Sequence, residues 1–268
     1  PPQFIFLFFS SVAVLINGFF FKKMSSFYFL AFLIYLSHSI TIKELSGLRL
    51  GYASALLLPM IYFIQKKDYI KFSLIYILSS LVQFVGLLSI ILLFLNREFK
   101  YQLLIAGIFV AILIHYLDFI PYLINFLTAI NLIPQIVSDY VNSSYHSYNS
   151  SLVFHLKTLQ QIVTIVIMLV CFKNFKNTVS PRFKFFNLIF NAYYCGTVLI
   201  IMFSSLAIFA YRFSAHFMAV EPIILTYLIW MFKDKKFPYL LLASFSLIIA
   251  FINYVLFQRI EGYIFLIQ

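Results

Sequence analysis

Apolar residues in this chain come in long unbroken runs rather than in alternation with polar ones. The runs occupy roughly 3–21, 27–42, 50–64, 72–95, 102–125, 158–172, 187–209, 217–232 and 238–257. A helix needs about 20 apolar residues to cross a hydrocarbon layer about 30 Å thick. No water is present there to bond the backbone, so runs of this length predict α-helices. The expectation is an all-α polytopic integral membrane bundle, a single transmembrane domain over residues 1–268.

Polar residues set the direction of the runs. Basic residues cluster at Lys22 and Lys23; at Lys66, Lys67 and Lys71; at Arg97 and Lys100; at Lys173, Lys176, Arg182 and Lys184; and at Lys233, Lys235 and Lys236. Placing all of them in the cytoplasm satisfies the positive-inside bias. Segment 72–95 then starts and ends on the same side, so it cannot cross once. With Gln83 and Gly86 near its middle, it is expected to be a re-entrant hairpin of two half-helices, which leaves about eight full spans around it. The outer side receives the loops 43–49, 126–157 and 210–216, the long one rich in Tyr, Ser and Asn.

Composition agrees with this reading. Hydrophobic residues make up 63% of the chain and charged ones 10%, against about 25% in soluble domains. The net charge of +11 sits in short loops between spans, so it encodes topology and no nucleic-acid partner is expected. Cys171 and Cys195 stand on different segments, which argues against a disulfide framework or a thiolate metal site. The sequence opens "PPQFIFLFFS" without Met or a basic leader, and is expected to lack the N-terminal part of the full protein.

Arg49, Arg212 and Arg259 fall on the side that the charge bias disfavours. Arg49 and Arg212 each precede a run directed inward, where a helix start would present free N–H groups and a partial positive charge. A guanidinium fork matches phosphate oxygens bidentately, so the two positions together suit a diphosphate. A single arginine at a membrane edge can equally snorkel to lipid headgroups.

At these residues the chain resembles the EpsG/Wzy-type polysaccharide polymerases. "LSGLRLGYASALLLPMIYFIQKKDYIKFSLIYILSSLVQFVGLLSIILLF" resembles a family region in which an arginine-led helix is followed by a basic turn and a short hairpin. "YRFSAHFMAVEPIILTYLI" is similar to a second signature, an arginine followed by aromatics at a late helix. The chain departs from the pattern at Gln83, where the family has a histidine, and "RLGYA" replaces a fuller "RQGLA". The resemblance implies a multi-pass protein of the bacterial inner membrane. Such a protein joins oligosaccharide repeat units carried on undecaprenyl diphosphate at the extracytoplasmic face, for O-antigen or a related surface polysaccharide. It implies the bilayer and the lipid-linked oligosaccharide as partners, with a chain-length regulator protein as a further one.

That reaction needs positive charge at the departing diphosphate, for which Arg49 and Arg212 are the candidates. It is helped by a base for the acceptor hydroxyl. Glu44, Asp118, Asp139 and His216 are the choices, His216 lying four residues after Arg212 and Asp118 standing near the outer end of a span. His115 shares a helical face with Asp118, either as a structural partner or toward substrate. Glu221 is placed to pair with a cavity arginine, while Tyr211 and Gln83 are further substrate-side candidates. No nucleotide loop, cofactor or metal is expected. The rival readings are a transporter or flippase for lipid-linked oligosaccharide and a membrane acyltransferase of surface glycans, for which His115 is the available catalytic histidine.

Overall fold

The computed structural model describes residues 2–38, 48–132, 134, 135, 139, 156–176 and 184–252. Every regular element among them is a helix: α1 (Pro2–Met24), α2 (Tyr28–His38), α3 (Leu48–Ala55), α4 (Leu57–Gln65), α5 (Tyr69–Val82), α6 (Leu92–Leu95), α7 (Tyr101–Tyr116), α8 (Phe119–Ala129), α9 (Leu156–Lys176), α10 (Phe186–Met202), α11 (Ala207–Phe217), α12 (Glu221–Tyr227) and α13 (Lys236–Phe251). Short 3-10 segments, Phe84–Ile91, Met218–Val220 and Leu228–Met231, join some of them. By length and composition, Leu7–Met24, Leu48–Gln65 and Phe209–Met231 suffice to cross a membrane, and a fourth span arises if α7 and α8 count together. The other apolar helices are shorter, among them α2, α5, α10 and α13. Large apolar side chains such as Leu15, Leu81, Tyr122 and Val170 are at least 70% exposed, a surface suited to lipid rather than water.

Three prolines explain where long runs change direction or tighten. A proline inside a helix removes the bond to the carbonyl four residues back and clashes with it. Pro59 denies a donor to Ala55, the last residue of α3, and α4 starts two residues later. Pro222 denies one to Met218, and the chain passes through the 3-10 turn Met218–Val220, where the Glu221 N–H bonds Met218 O instead. Pro121 denies one to Leu117, where the segment expected as one span over 102–125 is broken. There Asp118 adopts a left-handed φ of 46°, and α7 and α8 meet at 62°.

The segment expected as a hairpin does break at its middle. α5 ends at Val82, Gln83 is extended (φ −150°, ψ 132°), and a 3-10 turn follows. The break keeps its backbone satisfied, with Gln83 N–H bonding Ser79 O (3.0 Å) and Gly86 N–H bonding Gln83 O (2.8 Å). The second limb lies directly on the first, since a Cβ at Gly86 would stand 2.5 Å from the carbonyl carbon and oxygen of Ser79. The two ends also meet: Gln65, which closes α4, donates to Asn96 just past α6 at 2.6 Å. A segment that returns to its starting level is a hairpin.

The chain packs as two compact units, one of Pro1–Arg97, Cys171–Tyr193 and His216–Gln268, the other of Glu98–Val170 and Tyr194–Ala215. In the first unit, α2 and α13 close on Leu30, Ile34 and Ile229, and Ser25 meets Thr226 hydroxyl to hydroxyl at 2.9 Å. Three of the basic clusters share one pair of aromatic rings there. Lys23 and Lys66 share the ring of Tyr62, which stacks on Phe185 beside Lys184. Asn191 bonds the carbonyl of Arg97, and Lys235 covers Trp230, which packs on Phe27. In the second unit, Ala111, Ile200, Ile201 and Ala210 form the core, and the Tyr194 hydroxyl bonds Leu104 O at 2.8 Å.

Candidate functional site

Arg49 is the second residue of α3 and its side chain is exposed, so the guanidinium does stand at the head of the span Leu48–Gln65. At about 1.5 Å per residue, Arg49 and Lys66 stand about 25 Å apart along the span, at its opposite ends. The hairpin reaches up to it. Ser79 Oγ donates to Ala53 O at 3.3 Å, and Ala53 lies one turn from Arg49. Gln83, half-buried, is one turn beyond Ser79, at the hairpin tip. A charged head, a polar tip and a broken backbone therefore share one level of the first unit.

Arg212 departs from expectation in one respect. Residues 210–216 form helix rather than a loop, because α11 already begins at Ala207. The preceding turn is set by Ser204, whose Oγ bonds Ile201 O at 2.8 Å, so α10 ends and α11 starts early. Free N–H groups belong to the first four helical residues, so Arg212 offers its charge and fork without them. Its side chain and that of Tyr211 are exposed. Arg49 lies in the first packing unit and Arg212 in the second.

His216 is fully buried, with Nε2 2.7 Å from Ser89 Oγ in the returning limb of the hairpin. It is thus a fastener between α11 and the hairpin rather than an accessible base. Glu221 is also buried, at the first position of α12. The dipole of a helix start favours a carboxylate there.

His115 does not turn to Asp118. Its Nδ1 lies 2.6 Å from Ser204 Oγ, and Asp118 is exposed at the α7–α8 bend without a side-chain capping bond. Asp139 is exposed and accepts from Gln135 at 3.2 Å. Glu44, His146, His155 and Arg259 lie outside the described residues, as does most of the 126–157 loop.

Similarity to known proteins bears on what such a molecule is. The model of the EpsG family matches residues 1–267. The chain belongs to the EpsG family. It is similar to the amylovoran biosynthesis protein AmsC of Erwinia amylovora, 26% identical over 267 residues that cover 97% of this chain and 69% of that one. No solved structure matches it. With its apolar helices, this EpsG-family chain is an integral membrane protein.

Sequence reasoning missed the serines. Ser79, Ser89 and Ser204 each make a long-range side-chain contact, with partners 26, 127 and 89 residues away. Only a polar residue inside an apolar run marked them beforehand.

Proposed function

We propose that this protein is a polymerase that joins undecaprenyl-diphosphate-linked oligosaccharide units on the extracytoplasmic face of the bacterial inner membrane, building O-antigen or a related surface polysaccharide. In this reading one transmembrane domain of about eight spans surrounds the 69–95 hairpin, with the basic clusters in the cytoplasm. The family match over residues 1–267 carries the proposal, and the relative named for amylovoran biosynthesis supports it.

The chemistry is a displacement at the anomeric carbon of the growing chain. Its bond to the lipid diphosphate breaks, a bond to an acceptor hydroxyl forms, and the hydroxyl proton passes to a base. Arg49 and Arg212 are the candidates for binding the diphosphate and for stabilising charge on the departing oxygen. Gln83 and Tyr211 are the further candidates for contact with substrate. Among the described base candidates Asp118 and Asp139 are exposed and His216 is buried; Asp118, which makes no side-chain capping bond while Asp139 accepts from Gln135, is the preferred base.

Arg49→Lys and Arg212→Lys keep the charge and lose the fork. Each is expected to lower polymer formation by about a hundred- to a thousandfold at unchanged expression. The readout is glycan length in cells. Single-repeat product that persists without long polymer supports the polymerase. Loss of both products would move the assignment to a transporter of the lipid-linked unit, and undiminished long polymer would refute the arginines' role.

A further inference from the structure

At the basic end of the first unit, lysines from three separate elements point at one aromatic plate. Tyr62, in the last turns of α4, stacks on Phe185 with ring centroids 5.8 Å apart and planes at 17°. Lys23 from the end of α1 places Nζ 5.0 Å from the Tyr62 ring and 4.1 Å from Phe19. Lys66 places Nζ 4.9 Å from the same Tyr62 ring. Lys184, just ahead of α10, sits 5.2 Å over Phe185.

A ring face attracts an ammonium group, which explains why one lysine would settle there. It does not explain three, because like charges brought together repel. Among the described residues none of the three meets a carboxylate. Asp68, two residues beyond Lys66, is taken by Lys71 at 2.8 Å. All three side chains are exposed, at the level where α1 and α4 end after bilayer-length apolar runs. Headgroup phosphates lie at that depth, and basic pockets between spans are suited to anionic headgroups.

We infer that Lys23, Lys66 and Lys184 form a binding site for the headgroup phosphate of an anionic phospholipid, with the Tyr62–Phe185 stack as its floor. Lys23 and Lys66 share the Tyr62 ring and Lys184 lies on the Phe185 ring stacked against it, and the phosphate supplies the missing negative charge. This site stands apart from the proposed diphosphate clamp, at the opposite end of α3–α4 from Arg49.

The test is native mass spectrometry of the delipidated full chain in detergent, titrated with phosphatidylglycerol or phosphatidylcholine. Wild-type protein should hold phosphatidylglycerol about tenfold more tightly than phosphatidylcholine. The triple variant Lys23→Gln, Lys66→Gln, Lys184→Gln should lose that preference. The charge-matched control Lys233→Gln, Lys235→Gln, Lys236→Gln should keep it. Equal loss in both triple variants would mean diffuse surface charge and overturn the site. So would full retention in the first variant, and inorganic phosphate displacing the lipid at equal concentration would assign the site to a soluble anion instead. Thermal unfolding guards against a misfolded variant. Phosphatidylglycerol should raise the midpoint of wild type and control, and leave that of the first variant unmoved with a normal baseline transition.

Discussion

The hairpin 69–95 and the bent pair 101–129 each interrupt a helix inside an apolar run, and each second element begins beside an aspartate or a polar residue. In the hairpin the interruption is sealed. Gln83 and Gly86 bond within the break, Ser79 and Ser89 tie the limbs to α3 and α11, and Gln65 meets Asn96 at the base. Asp68, at its entrance, caps α5 by accepting from the Lys71 N–H at 3.2 Å. In the bent pair the backbone is satisfied too, with Leu117 N–H bonding Leu113 O (3.0 Å) and Asp118 N–H bonding His115 O (3.1 Å), but no side chain caps α8. Asp118 precedes α8 in a left-handed conformation, makes no capping bond and leaves its carboxylate exposed. The difference between the two breaks lies in their side chains: Asp68 is engaged as a cap, and Asp118 is left exposed. Asp118 is therefore the residue at which experiment can best tell the two breaks apart.

Asp118 offers the largest effect that could break this contrast. If its carboxylate takes the acceptor proton, Asp118→Asn and Asp118→Gly should both lower polymer formation by about a hundred- to ten-thousandfold. Asp118→Gly should fold at least as well as wild type, because glycine occupies a positive φ without a Cβ penalty. Glycan length in cells, beside the thermal midpoint of purified protein, separates the two roles. Full activity of the glycine variant would make Asp118 a bend residue and nothing more.

Two glycines sharpen the comparison at the level of packing. A Cβ at Gly86 would press on the Ser79 carbonyl, which is backbone and cannot swing aside. A Cβ at Gly107 in α7 would meet the hydroxyl end of Tyr194, which can rotate away. Gly86→Ala should therefore destabilise by about 1–3 kcal/mol, the cost of overpacking a filled site. Gly107→Ala should fall below that, with the main change being loss of the Tyr194 bond to Leu104 O. Denaturation midpoints of the two variants give the ranking, and a larger drop for Gly107→Ala would show the hairpin limbs to be loosely apposed.

Much of this architecture was written in the charge pattern. Basic residues at both ends of 72–95, Lys71 on one side and Arg97 with Lys100 on the other, led to the expectation of a return to the same side, with Gln83 and Gly86 near its centre. The bend at Asp118 was equally available from Pro121, but hydropathy averages over a proline and the run reads as one span. The early start of α11 depends on a turn around Ser204 whose partner is His115, 89 residues distant, and no local signal encodes that contact. For the same reason His216 looks like a free neighbour of Arg212 in the sequence and is a buried partner of Ser89 in the fold. Arg49 was legible because the feature that matters, a charge at the head of an inward run, is local.

The smallest effect lies at the hairpin's entrance, in a pair open to water. Lys71 holds the Asp68 carboxyl below the usual carboxylate range, first through its side-chain hydrogen bond and then through its backbone N–H. A carboxyl whose pKa is lowered on folding contributes stability at pH values above its unfolded pKa of about 3.9, and that contribution is lost as pH falls through the folded value. Asp68→Asn keeps a capping oxygen but gives up the ion pair. Wild type should thus melt slightly above Asp68→Asn at pH 7, with the gap closing below about pH 4. Added salt should narrow the gap at pH 7, because the pair is exposed and screened. A gap that stays constant from neutral pH into acid, or widens there, would show that the cap rather than the charge holds the base of the hairpin.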